Sequence, residues 1–360
     1  QNALLDIMKD MTLEQIQEEV HKAVYFTVLA DESKNTSKKE QVVIAVRYCL
    51  HNSIYEEFVG IAEAQSLDAD GLTETITSQL LRIGANLKNC VGQGYDRASV
   101  VAGQLNGVQK KFREKNGSEM AYYVHCHCHR LNLVIVDVVN SIMCVANMIS
   151  LIKKMHSFLG TSTVHARWEK AQQLRGLKRM EIGSISDTRW ACQAKQLRAM
   201  AKRIEVVHDV LTEIIDDDTD ADRVVDAKGF KLQIDRRFVR YLLVTKHILK
   251  KAKFASDILQ KPTNDLSNAI DLIASLKEEL DTCRSREKCQ YFWEEAEDVA
   301  DRLNLPHDAP VRSRRPPASL QDFFVESNIE DNVGQAGFDE FVRDVYEIVD
   351  KVNAELRRRF

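Results

Sequence analysis

The chain has 360 residues, 44% of them hydrophobic and 29% charged, with a formal net charge of −4. That is enough material for a large core and, at roughly 100–200 residues per domain, for two or more domains, which excludes disorder over most of the length. No apolar run reaches the roughly 18–20 residues of a membrane span, and no basic segment leads into an apolar one at the N-terminus, so no membrane partner is expected. Eight cysteines spread through a chain without a signal segment suit a compartment where thiols stay reduced, the cytosol or nucleus. The first residue is Gln1, as in a fragment or processed form.

An amphipathic helix opens the chain, with Leu4, Ile7, Met8, Leu13, Ile16 and Val20 as its apolar positions. The run Val24 to Ala30 is apolar and β-branched and predicts a buried strand ending at Asp31. Gln41 to Leu50 and Ile54 to Ala64 predict two more strands joined as a hairpin through His51-Asn52-Ser53. Leu72, Ile76, Leu80 and Ile83 mark a helix, Cys90-Val91 a short strand with a turn at Gly92-Gln93-Gly94, Val101 to Phe112 another helix, and Tyr122-Tyr123-Val124 a last strand. Beyond residue 130 nearly everything has helical spacing. The order predicts a mixed sheet in which the first three strands pair antiparallel and the later two join through helical crossovers.

The expected organisation is a leading helix over 1–19, an α/β core over 20–160, a helical region over 161–305, a Pro/Arg-rich linker over 306–320 and a C-terminal helical segment over 321–360. Pro306, Pro310, Pro316 and Pro317 with Arg312, Arg314 and Arg315 carry the linker reading.

Asp31 past the first strand and Asp96 past the fourth occupy equivalent places at carboxyl ends of strands, where ligand groups converge in open α/β sheets. Paired carboxylates are what a divalent cation needs beside a phosphodiester, where it activates a hydroxyl and neutralises charge on the leaving oxygen. The competing reading makes both loop residues that cap helices.

The segments Val28-Leu29-Ala30-Asp31-Glu32-Ser33, Ser37 to Gln41, Gly92-Gln93-Gly94-Tyr95-Asp96-Arg97-Ala98-Ser99, His125-Cys126-His127-Cys128-His129-Arg130-Leu131-Asn132-Leu133 and Asp187-Thr188-Arg189-Trp190 stand in this order. Together they resemble the hAT transposase superfamily, and within it the transposase-derived domain of zinc finger MYM-type proteins. The resemblance implies a ribonuclease H-like fold, a mixed five-stranded sheet with flanking helices, interrupted or followed by a large all-helical insertion. It also implies a nuclear protein that acts on DNA and cuts it with an Asp, Asp, Glu site holding Mg²⁺ or Mn²⁺. Asp31 matches the first acid and Asp96 the second. The third belongs to a Ser-Glu-Arg-x-Phe-Ser segment in a dimerisation region, and nothing in these 360 residues matches it. The end of the chain looks like the stretch before that segment, and no N-terminal zinc-binding recognition domain is present, so the middle of a longer protein, or a truncated copy, is expected. Homo-oligomerisation would run through the missing region. Arg97 to Val101 depart from the family's Gly-Ala-Ser-Asn-Met, and Asn35 stands where an acid is common.

By the same resemblance, Cys126 and His129 match a Cys-x-x-His motif near the active site, where His129 would contact a phosphate or position water. The competing reading is the start of a core helix. Zinc at His125 to His129 lacks a second ligand pair at the usual spacing, leaving only a distant partner such as Cys283 or Cys289. Arg189 and Trp190 match an Arg-Trp pair, implying a Trp stacked on a base and an Arg on the backbone; without the resemblance, a Trp at helical spacing reads as core. Around them, Arg167, Lys170, Arg175, Lys178, Arg179, Arg189, Lys195, Arg198, Lys202 and Arg203 oppose Glu169, Glu181, Asp187 and Glu205, a local charge of +6 suited to phosphates.

Other features carry less. Asp216 to Asp222 fails as a calcium loop, with Arg223 and Gly229 where Gly and Glu are needed, and reads as a solvated acidic turn. Gly92-Gln93-Gly94 lacks a dinucleotide loop's third glycine. Tyr291, Phe292 and Trp293 are expected to pack, and Arg357 to Arg359 to complement a helix dipole. The expected function is a transposon-derived, DNA-binding domain that does not cleave by itself. The alternatives are an interaction scaffold without DNA binding, and an active nuclease whose third carboxylate is Glu340 or Glu347.

Overall fold

The computed structural model describes residues 2–34, 40–63, 66–95, 107–184, 190–261, 266–307 and 333–360. Two compact units emerge, one of residues 1–130 with 258–269, the other of residues 131–257 with 270–360.

The first unit is built on a five-stranded sheet of order β3-β2-β1-β4-β5, with β1 Phe26–Lys34, β2 Glu40–Leu50, β3 Ser53–Glu63, β4 Cys90–Tyr95 and β5 Tyr122–His125. β1 pairs antiparallel with β2, and β2 with β3, while β1–β4 and β4–β5 are parallel. This is the expected mixed sheet. The strict alternation of β2 buries Val42, Ile44, Val46 and Tyr48 on one face. The hairpin closes through His51 and Asn52, both with positive φ (48° and 61°), the left-handed conformation a two-residue turn needs to match strand twist.

Two boundaries move. β1 begins at Phe26, because Val24 has φ 67° and breaks the extended run, and it continues through Asp31 to Lys34 rather than stopping there. Gly92-Gln93-Gly94 is strand, not turn. The glycines serve strand packing: a Cβ on Gly92 would lie 2.8 Å from Thr27 Oγ1, and one on Gly94 2.6 Å from Leu29 Cδ2.

Helix α1 (Asn2–Ala23) buries Ile16 and Val20, but the apolar positions of its first half, Leu4, Ile7 and Met8, are exposed, so the expected stripe is used only in part. α2 (Ala69–Arg82) starts on Asp68, whose carboxylate accepts from the Gly71 N–H, and buries Leu72, Ile76 and Leu80 at four-residue spacing. α3 (Val108–Asn116) ends on Gly117 at φ 61°. Phe26, Val28, Ile44, Leu80 and Phe112 centre this core.

From residue 127 the described chain is helical: α4 His127–Ser141, α5 Met143–Leu159, α6 Ser162–Leu174, α7 Trp190–Asp217, α8 Ala221–Gln233, α9 Arg236–Leu259, α10 Leu266–Asp281, α11 Arg286–Arg302 and α12 Val333–Arg359. Ile135 of α4 and Val145 of α5 share an apolar cavity with Ile248 of α9 and Ile348 of α12. Residues 131–160, grouped with the sheet in the sequence reading, therefore pack with the helices. No single described helix is long and apolar enough to cross a membrane; α4 and α5 meet that criterion only as a pair bent by 98°. Of the expected aromatic cluster, Phe292 is buried and Trp293 packs on Phe338 and Phe341, but Tyr291 is exposed. Asp216 to Asp222 is a helix junction in which Asp220 caps α8 and Asp218 is covered by ion pairs to Arg167 and Arg223, not a solvated turn. Arg359, expected to act only on the helix dipole, is buried against Asp137 and Glu355.

Candidate functional site

In the sheet unit, three parallel strands end at one edge. Leu29 of β1, Gly94 of β4 and Val124 of β5 lie in one register row. Asp31 and Cys126 each come two residues after that row, so parallel pairing alone delivers them to the same edge. Asp96, which follows Tyr95 in the sequence, lies outside the described residues, as do Arg97 and Asn35.

Asp31 is exposed and, with Glu32, borders a cavity of about 20 Å³ whose walls include Leu72, Ile76, Tyr95 and Val108. Tyr95 is buried, stacks on Tyr123 at 6.1 Å, and its hydroxyl has no hydrogen-bond partner among the described residues. Burial pushes its pKa well up. Sequence reading passed over Tyr95 and Glu32; their position flanking the two acids was the available signal.

Cys126 links strand to helix. Its N–H donates to Tyr95 O (3.1 Å) and its carbonyl accepts from Arg130 N–H (3.0 Å), which places it at the N-cap of α4. As a whole residue Cys126 is exposed, while its sulfur is partly shielded from solvent. The Cys128 thiol and the N–H groups of His129 and Cys128 hydrogen-bond its sulfur and hold its pKa down to about 6, against burial and the negative charge of Asp31. The thiolate and the carboxylate thus sit within electrostatic reach. His129 is half-buried, its ring 5.5 Å from that of His125, and the apolar face of its helix begins at Leu131, so the motif and the core-helix readings both describe α4. Cys283 and Cys289, considered as distant zinc ligands, are buried in the helical unit.

Asp31, an exposed carboxylate on the rim of a small cavity, offers an oxygen donor of the kind a hard divalent ion takes, whereas Glu32 follows it in an extended strand, where successive side chains alternate faces. The thiolate of Cys126 adds negative charge there but is a soft ligand.

In the helical unit the expected Arg-Trp pair divides. Arg189 lies outside the described residues. Trp190 is the first residue of α7, 2% exposed, its N–H bonded to Asn132 Oδ1 at 3.1 Å. The burial of Trp190 favours the core reading of this residue over base stacking. The +6 patch also shrinks. Arg167 pairs with Asp218, Lys170 with Glu213, and Arg175 with Glu205 and Asp209, mostly acids from beyond the window counted in the sequence. Arg179 pairs with Glu169 and Glu181, and Arg203 is buried, donating to Lys178 O. Lys178 remains exposed with no ion pair to a described residue, and so do Lys195, Arg198 and Lys202, which share one face of α7. Glu340 pairs with Arg237 and Glu347 with Lys351.

A mixed five-stranded sheet of this order, with Asp31 two residues past the parallel-paired stretch of its first strand, is consistent with a ribonuclease-like α/β domain. Residues 1–107 match the family model described as the ZMYM1/FAM200, RNase-like domain (DUF4371). The match takes in β1 to β4 with Asp31 and Asp96, under half of the chain, and supports closeness to the transposase-derived domain of ZMYM-type proteins. β5, the Cys126 and His129 motif and Trp190 lie beyond it.

Proposed function

We propose that this chain is a nuclear, transposon-derived DNA-binding module of hAT descent whose ancestral reaction was metal-dependent cleavage and strand transfer. The parallel register that brings Asp31 and Cys126 to one edge of the sheet, two strands apart, supports the ancestral site. Asp31 and Asp96 would hold Mg²⁺ or Mn²⁺, which when bound supplies charge neutralisation and an activated hydroxyl at a phosphodiester. His129, one turn into α4, would meet a phosphate. Without a match to the third acid, this chain alone is not expected to cut, and a homo-oligomer would need the region that carries that acid.

The observation that carries DNA binding is the exposed basic face Lys195, Arg198 and Lys202, which makes no ion pair to a described residue. Trp190 sets the start of that helix instead of stacking on a base, and Arg189 precedes it in sequence. Binding to DNA hairpins should weaken steeply with salt, and replacing all three residues by Ala should lower the slope of log K against log [salt] by about 3. The burial of Trp190 and the internal pairing of the patch favour the second reading, a protein-interaction scaffold. No hairpin binding at any salt concentration would decide for the scaffold.

A further inference from the structure

We propose that His165, Glu169 and Glu181 form a binding site for a first-row divalent transition ion of the Zn²⁺ class on the helical unit. It is the one group of three His, Cys, Asp or Glu side chains, among the described residues, whose donor atoms lie within 4.8 Å of one another. His165 and Glu169 are four apart on α6 and so share a helix face. Glu181 comes from the following segment, its Oε2 3.1 Å from His165 Nε2.

That segment has no helix or strand, yet it is fixed at several points. Trp168 Nε1 donates to Met180 O at 3.1 Å, Met180 N to Gln172 Oε1 at 2.9 Å, Arg203 Nη2 to Lys178 O at 2.9 Å and Gly183 N to Gln196 Oε1 at 2.6 Å, and Ile182 is buried. Glu181 is thus preorganised against the helix, which is what a ligand from an irregular segment requires. The cluster already attracts cations. Arg179 reaches Glu169 at 2.6 Å and Glu181 at 3.1 Å, and its side chain, 67% exposed, can swing into solvent when a metal takes its place. One imidazole and two carboxylates suit Zn²⁺ with a fourth position open to water.

The test is titration of the untagged full chain with Zn²⁺ by calorimetry and with Co²⁺ by visible absorption. One equivalent should bind. His165→Ala should weaken binding by more than the about 10–100-fold typical of losing an outer-shell partner. Glu169→Gln, at a half-exposed position, provides a second variant that keeps its fold, and should also weaken binding. Arg179→Met should tighten it, because the competing guanidinium is gone. Absence of stoichiometric binding overturns the assignment, as does binding that survives His165→Ala and Glu169→Gln together. A purely structural ion-pair network predicts that Arg179→Met loosens the segment without any gain in Zn²⁺ affinity.

Discussion

The two units handle charge in opposite ways. Among the described residues the buried charged ones are Arg203, Arg236, Arg240 and Arg359, all in the helical unit, while the sheet unit buries none and sets its ion pairs, such as Lys111–Asp70 and Lys115–Glu74, on the surface. The cause is where backbone hydrogen bonds go. Strands satisfy one another, so register in the sheet is fixed by the ladder and by alternation. Helices spend their backbone bonds internally, so long-range side-chain bonds supply what the ladder does elsewhere. Arg236 donates to Glu297, Asp301, Leu305 O and Pro306 O, and Arg240 lies 3.5 Å over the Trp293 ring while pairing with Glu297.

The largest effects should fall in the helical unit. Trp190→Ala removes a fully buried indole and should cost about 3–5 kcal/mol in chemical denaturation. Trp190→Phe should cost less and leave DNA-hairpin affinity unchanged; a selective loss of affinity in a folded Trp190→Phe protein would restore the stacking role. Arg236→Ala should cost about 3 kcal/mol, the low end for a broken buried pair, because Arg240 still neutralises Glu297 while the carbonyls of Leu305 and Pro306 lose their donor. A near-neutral Arg236→Ala would break the contrast between the units.

The sheet should instead be sensitive at its backbone. Gly92→Ala should cost about 1–3 kcal/mol, since the new methyl meets the short, branched Thr27 from 2.8 Å. Gly94→Ala should cost less, because the atom met is the far end of Leu29, which can change rotamer. Unfolding midpoints of the two variants check the order.

Much of the sheet was legible because its signals are local. Alternation in β2, the His51-Asn52 turn and the helical crossovers each occupy a few consecutive residues, and together they give the strands and their relative directions, though not their order across the sheet. What the sequence hid depends on partners far along the chain. The basic window around Arg167 to Arg203 looked open because Asp209, Glu213 and Asp218 stand beyond it. The exposure of Leu4 and Met8 on α1 has no local sign either, since an apolar stripe records only what a helix can bury. Trp190 shows the limit of a motif: the residue stands in the expected place, but the burial that decides its chemistry is set by the helices around it. At the strand ends, Asp31 was legible from its position, whereas its closeness to Cys126 required the β1–β4–β5 order.

That closeness can be measured with little effect on stability. In the folded chain Cys126 should be alkylated by iodoacetamide with a midpoint near pH 6, against an ordinary thiol near 8.5. Since the folded pKa is depressed, the thiolate's contribution to stability is complete above the unfolded pKa and is lost as pH falls through the folded one. Cys128→Ala should move the midpoint up, because the Cys128 thiol is the largest influence holding it down, whereas Cys128→Ser keeps a donor and should move it less. Asp31→Asn works the other way: it removes the negative charge that opposes the thiolate, so the midpoint should fall below its value in the unaltered chain. An unchanged midpoint in Asp31→Asn would mean that Asp31 and Cys126 do not share an edge in solution, and the case for an ancestral metal site there would lose its geometric support.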